Sequence, residues 1–367
     1  MATAHRTLTH SPYLVWAKLS SQARFNLATS GVAAYPLAKL PVRLEELEIS
    51  GPGGTYGFPP LQQRLAKLQG VSEECVVAAI GTSMANFLAY AGMLEAGDEV
   101  LVESPAYGPM FEAPQFLGAT VRRFERRFEN GFALDPSEVQ RAVTPRTRVI
   151  ALTNLHNPTG VFATTETLKA VGDIAEKIGA KVLVDEVYLD MLFDPAVRSS
   201  FHLGEHFVVT SSLTKVYGLS GLRCGWILAS PDLARAIWRI NDLFGNIPSF
   251  TAEQLSVIAI DHLSEIRSRS RELLARNRAI LDQFLGSTDE LELVRPPAGT
   301  VIFPRLKRGG AEEFVRLLRE RYETSVVPGR FFEMTDHFRL GIGGDSEQLR
   351  DGLERVSSAL SEFSKVK

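Results

Sequence analysis

The chain has 367 residues, 45% of them apolar and 23% charged, with a net charge of −3. That length permits two domains, or one large domain with an appendage, and the slight negative charge argues against a broad electrostatic grip on nucleic acid. Cys75 and Cys224, the two cysteines, exclude a disulfide framework; no signal-peptide core opens the chain and no run of about 18 apolar residues spans a bilayer, so a cytoplasmic protein is expected.

Pro12, Pro36 and Pro41 break any long helix before residue 44. They predict an N-terminal arm with one short helix at residues 13–20, then extended chain, ended by the flexible turn Ser50-Gly51-Pro52-Gly53-Gly54. Leucines 61, 65 and 68 form the stripe of a helix over residues 60–68 that packs on one side. Strands and helices then alternate. Residues 75–80 predict a strand, and residues 85–94 a helix opened by the Gly81-Thr82-Ser83 turn. Residues 100–102, 148–153, 181–184 and 207–211 predict further strands, with a helix near 164–178. The basic run of residues 122–127, interleaved with Phe124 and Glu125, predicts the exposed face of a strand. This order predicts an α/β fold whose mostly parallel sheet is covered by helices on both faces, with ligands bound beyond the carboxyl ends of the strands. Residues 251–285 contain no proline and predict one extended helix linking two domains. Beyond it, strands at 291–294, 301–306, 325–327 and 337–342 and helices at 311–322 and 346–363 predict a smaller α+β unit.

The densest chemistry lies in residues 210–226. Lys215 sits three positions after Ser212 and eight before Arg223, among Gly218, Gly221 and Gly225, which let the backbone turn tightly. Burial and neighbouring positive charge make a lysine nucleophilic, and Ser and Arg side chains of one loop hold a phosphate; the same spacing also suits a solvated loop lysine. Asp185 ends the apolar run 182–184, where a carboxylate caps a helix, pairs with a base or meets a ligand. Asn157 opens the turn Asn157-Pro158-Thr159-Gly160. Thr82 and Ser83 open a helix whose free N–H groups suit either a plain cap or a phosphate. Tyr107, two residues after Pro105, suits the core or a stacked ring. Arg339 stands inside an apolar strand: buried, it needs an anion such as a carboxylate, and otherwise it points to solvent from an edge.

Together these segments resemble the class I and II aminotransferases, fold-type I enzymes that use pyridoxal 5′-phosphate. The family's Ser-x-x-Lys-x-x-Gly-x-x-Gly-x-Arg-x-Gly pattern is matched by Ser212, Lys215, Gly218, Gly221, Arg223 and Gly225. Asp185-Glu186-Val187-Tyr188 and Asn157-Pro158-Thr159-Gly160 match its strand-end motifs, and the resemblance spans roughly residues 50–345 in the family's order. It implies that Lys215 holds the cofactor as a Schiff base and that Thr82, Ser83, Ser212 and Arg223 bind its phosphate. Asp185 would keep the pyridine nitrogen protonated, Tyr188 and Asn157 would donate to the phenolic oxygen, and Tyr107 would stack on the ring. Arg339, with Asn157, would hold the substrate carboxylate, while His156 would be structural or supporting. The activity implied is amino-group transfer between an L-amino acid and a 2-oxo acid by a homodimer. Its large domain would comprise residues 45–275, and its small domain residues 1–44 and 276–367. Tyr56-Gly57 resembles a pair whose tyrosine reaches the neighbour's phosphate, although Pro59-Pro60 replaces the family's opening glycine. Phe244 and Asn246 are candidates for lining the neighbour's pocket, and residues 28–32 depart from the family's N-terminal carboxylate loop. β-Lyases, aminocyclopropane-carboxylate-type synthases and cyclising enzymes share the scaffold. A ligand-sensing regulator would carry a DNA-binding domain, and the short arm lacks helix-turn-helix patterning.

Overall fold

Pro12 presets the first helical turn and Ser11 caps it, its Oγ accepting from the Leu14 amide at 3.4 Å, so helix α1 (Pro12–Leu19) forms despite its shortness. The computed structural model describes residues 10–51, 53–245 and 247–366. After α1 come β1 (Phe25–Asn26), α2 (Pro59–Gln69), β2 (Val76–Ile80), α3 (Gly81–Met93), β3 (Glu99–Ser104), α4 (Pro109–Phe116) and β4 (Thr120–Glu125). They are followed by α5 (Pro136–Ala142), β5 (Thr147–Thr153), α6 (Thr165–Lys177), β6 (Lys181–Asp185), β7 (Phe207–Ser212), β8 (Cys224–Leu228) and α7 (Pro231–Asn241).

Seven of these strands form one sheet in the order β2-β8-β7-β6-β5-β3-β4, parallel except that β8 runs against both its neighbours. The central strands are apolar on both faces: Val149, Ile150, Ala151 and Leu152 are all fully buried, as a sheet covered by two helical layers requires. One core gathers Leu65, Val171, Val184 and Trp226; the other gathers Leu88, Tyr90, Val102 and Ile237. The expected α/β fold is therefore present. Parallel strands joined through helices all deliver their carboxyl ends to one edge.

The C-terminal part contains α8 (Phe250–Asp261), α9 (Leu263–Gly286), β9 (Leu291–Glu292), β10 (Val301–Ile302), β11 (Arg305–Leu306), α10 (Ala311–Tyr322), β12 (Thr324–Ser325), β13 (Val327–Pro328), β14 (Phe338–Gly341) and α11 (Ser346–Val366). A third core forms here from Phe314, Leu318, Leu340 and Val356, and Leu27 from the N-terminal arm joins it. The arm pairs as well, with β1 lying parallel to β12.

Several expectations are corrected. The single helix over 251–285 is two helices, because the His262 ring bonds the Ile258 carbonyl at 3.0 Å while its own amide turns to Ala259. Helix α3 starts at Gly81 rather than near residue 85, so Thr82 and Ser83 belong to its first turn. Leu68 lies outside the α2 stripe, 39% exposed, and Ala66 packs beside Leu61 and Leu65 instead. The strand expected over 301–306 divides at Pro304, β10 pairing with β14 and β11 with β9.

The basic run is also only partly exposed. Arg126 is buried just past β4, where its Nε donates to the Phe132 carbonyl at 2.7 Å and its Nη1 pairs with Glu103 at 2.8 Å. Glu103 in turn accepts from the amide and hydroxyl of Thr153. Replacing Arg126 by methionine leaves a buried carboxylate without its cation and is expected to destabilise the fold by about 3–5 kcal/mol, read by urea unfolding.

Candidate active site

Beyond the carboxyl ends of the parallel strands lies a cavity of about 630 Å³. Thr82, Ser83, Tyr107, Asn157, Asp185, Tyr188, Lys215 and Arg223 all line it, from six separate stretches of chain. The sheet explains the convergence. Asp185 closes β6, Asn157 follows β5, Tyr107 follows β3, and Lys215 follows β7.

Asp185 is 4% exposed and receives only neutral donors, Asn86 Nδ2 at 2.9 Å and the Val187 amide at 3.0 Å. Burial pushes its carboxyl up to about 6. Asn86 is fixed by the Thr210 hydroxyl, which donates to its Oδ1 at 2.5 Å. Its hydrogen-bond donors are neutral and the charge of Lys215 only partly offsets burial, so a protonated ring nitrogen in the cavity would suit it. Lys215 Nζ donates to Ser30 Oγ at 2.9 Å, and burial, followed by the positive charge of Arg339, pulls its amine down to about 8. Burial likewise lifts the Tyr188 phenol to about 12, so it stays a proton donor at neutral pH.

An anion cup forms at the start of α3. Thr82 Oγ1 donates to Ser212 Oγ at 2.8 Å, and Arg223 folds over the same turn with its Nη2 on the Ile80 carbonyl at 3.3 Å. Gly81 has φ +72°, and a side chain there would run into the Arg223 guanidinium. Gly218, at φ +69°, lets the chain after Lys215 press against the Ala33 carbonyl. A helix N-terminus, two hydroxyls and a guanidinium suit a phosphate. Carboxylate, amine and cup together fit pyridoxal 5′-phosphate.

Ser212 and Arg339 stand off the cavity wall. Ser212 acts through Thr82, and its Oγ also accepts from the Thr214 amide. Arg339 is 1% exposed, with Nη1 donating to Asn157 Oδ1 at 3.0 Å and Nη2 to the Tyr13 hydroxyl at 2.9 Å. His156 is buried away from the cavity between the Thr159 hydroxyl and the Pro105 carbonyl, and burial holds its imidazole well below the usual range. Both ring nitrogens are thus engaged, one within its own turn and one on the loop after β3. Tyr56 packs on Trp238 and donates to Asp242, outside this chain's own cavity. Phe244 is 54% exposed and meets Phe87 edge-on, whereas Asn246 lies outside the described residues.

Tyr13, Ser30 and Asn86 were not singled out from the sequence for these contacts. Ser30 lies in the stretch noted as departing from the family pattern, which was the only signal for it. The Asn86 and Tyr13 contacts cross 99 and 326 positions, so no local spacing encodes them. Among the described residues no cluster of His, Cys, Asp and Glu could hold a metal ion, and no helix is long and apolar enough to cross a membrane.

Comparison with known proteins matches this geometry. A family model described as aminotransferase class I and II covers residues 38–356. Capreomycidine synthase of Streptomyces vinaceus is 28% identical over 92% of this chain and 90% of its own. Arginine–pyruvate transaminase AruH of Pseudomonas aeruginosa is 29% identical over 84% and 81%. The crystal structure of a PLP-dependent aminotransferase from Streptococcus suis superposes with a TM-score of 0.90 at 27% identity, covering 97% of this chain and 99% of that one. With the cavity's carboxylate, amine and anion cup, the family match establishes that this chain belongs to the class I and II aminotransferases and is a pyridoxal-phosphate-dependent enzyme.

Proposed function

We propose that the chain moves an amino group between an L-amino acid and a 2-oxo acid, with Lys215 as the residue that carries the cofactor covalently and shuttles the proton. The observation that carries this reading is a pairing: a buried carboxylate that receives only neutral hydrogen-bond donors, Asp185, shares one cavity with an amine of lowered basicity, Lys215. Thr82, Ser83, Ser212 and Arg223 hold the phosphate, Tyr107 covers the ring, and Asn157 and Tyr188 donate to its phenolic oxygen. Bound there, pyridoxal phosphate supplies an electron sink for the substrate α-carbon. Asp185 keeps the ring nitrogen protonated. With the cofactor held there, Lys215 Nζ would take the α-proton as a base and return it as an acid. Arg339 and Asn157 orient the substrate by its carboxylate.

Three further parts belong to the same reading. The division into residues 45–275 and a smaller unit from both termini draws support from the separate C-terminal core that Leu27 joins. A homodimer draws support from Leu243, Phe244 and Ile247, large apolar side chains left exposed beside α7. A cytoplasmic setting suits the two free, buried cysteines.

A panel of amino acids offered to the cofactor-loaded protein tests the reaction, with arginine and aspartate included because relatives are named for them. Transamination yields one equivalent each of pyridoxamine phosphate and 2-oxo acid. A second reading, an amino-acid synthase or cyclase on this scaffold, is favoured by the long match to capreomycidine synthase. It predicts a rearranged product with the cofactor returned unchanged, and a lyase would instead release pyruvate and ammonia.

A further inference from the structure

Arg339 raises a difficulty for any substrate that is to meet it. Among the described residues it has no carboxylate at ion-pair distance, its Nε lacks a hydrogen-bond partner, and it is almost fully buried. The residues that line the cavity and also touch Arg339 through their side chains are Asn157 and Tyr13.

An arginine has donors only, so at 2.9 Å the Tyr13 oxygen must be the acceptor. The phenol's own proton therefore points elsewhere, and no acceptor takes it among the described residues. Asn157 has the same arrangement: its Oδ1 accepts from Nη1, which leaves its amide hydrogens free. The tyrosine ring is held in place. Tyr107 and Phe331 meet it edge-on at 5.6 and 5.8 Å, Phe332 lies at 5.9 Å, and the capped α1 fixes its backbone. A phenol accepting from a guanidinium is a polarised donor, suited to an anion.

We propose that Tyr13 is a further substrate-binding residue that donates its O–H to the substrate carboxylate, beside Asn157 and Arg339. This rests on the reading of the cavity as an amino-acid site. It makes the short N-terminal helix part of the carboxylate site.

The test uses the cofactor-loaded protein and two probes: pentanoate, which has the carboxylate and no amine, and pentylamine, the reverse. Calorimetry should show Tyr13→Phe weakening pentanoate by about 10- to 100-fold, the range for one hydrogen bond to a charged group. Pentylamine, followed by the cofactor's absorbance, should react with the variant as with the wild type. The phenylalanine keeps every ring contact but takes one acceptor from Arg339 Nη2, which retains the Ala28 carbonyl at 3.3 Å, so a somewhat lower melting temperature is expected and binding is compared well below it. Pentanoate bound equally well by the variant would overturn the proposal; tighter binding would also overturn it and make Tyr13 a competitor for Arg339. Wild-type protein that ignores pentanoate but responds to pentylamine would remove the carboxylate site itself, leaving the Lys215 reading in place.

Discussion

Lys215→Ala is expected to lower turnover by about four orders of magnitude, because one substitution removes both the covalent attachment and the acid-base group that moves the α-proton. The structure explains why this amine suits the task. It is pulled down to about 8 by burial and by Arg339, so at pH 7 about a tenth of the molecules carry it neutral and nucleophilic. Ser30, at 2.9 Å, holds it toward the cavity wall. Uptake of cofactor by the cofactor-free protein should accordingly rise about tenfold per pH unit below 8 and level off above. Borohydride reduction followed by peptide mass analysis should fix the cofactor's mass on residue 215 in the wild type and on nothing in the variant. Retained turnover by the alanine variant, or a label at another lysine, would refute the assignment.

The second large effect concerns Asp185. Asp185→Asn keeps the side chain's shape but removes the negative charge in the cavity that would pair with the ring nitrogen, a Coulombic interaction of about 4 kcal/mol at the effective dielectric of a protein, or about a thousandfold in rate. The same carboxyl sets a pH dependence of stability. In the cofactor-free protein it is raised from 3.8 to about 6, so between those values the folded state binds more protons than the unfolded one. Its contribution is fully present below about pH 4 and is lost as pH rises through 6, a fall of roughly 3 kcal/mol at about 1.4 kcal/mol per unit. Thermal melts from pH 4 to 7 should show this fall in cofactor-free wild type. Cofactor should suppress it by pairing the carboxylate, and the asparagine variant should lack it. A variant with wild-type turnover, or an identical pH profile, would count against the role.

The arrangement that unites these residues was legible in the order of the motifs. Alternating strands and helices force a parallel sheet, and a parallel sheet brings the ends of β3, β5, β6 and β7 to one edge, where Tyr107, Asn157, Asp185 and Lys215 stand. Local chemistry was legible too, in the short helix of the N-terminal arm and in the glycines around Lys215. Harder to read were features in which a side chain competes with the backbone: His262 divides a helix that composition alone would continue, by capturing a carbonyl one turn back. Arg126 was misread because charge patterning treats a basic run as a solvated face, whereas Glu103 on the neighbouring strand β3 offers it a buried counter-charge.

Sequence alone determined the fold class and, through the order of its family motifs, pointed to Lys215, Asp185 and the Gly81-Thr82-Ser83 turn as candidates, since each motif is built from residues close together in the chain. Only the tertiary structure decided what surrounds them: Ser30 on the amine, Asn86 on the carboxylate, and Tyr13 with Asn157 between Arg339 and the cavity. These contacts join positions 99 to 326 residues apart. The cost of leaving a buried polar group unpaired acts on spatial neighbours and leaves no periodic mark along the chain.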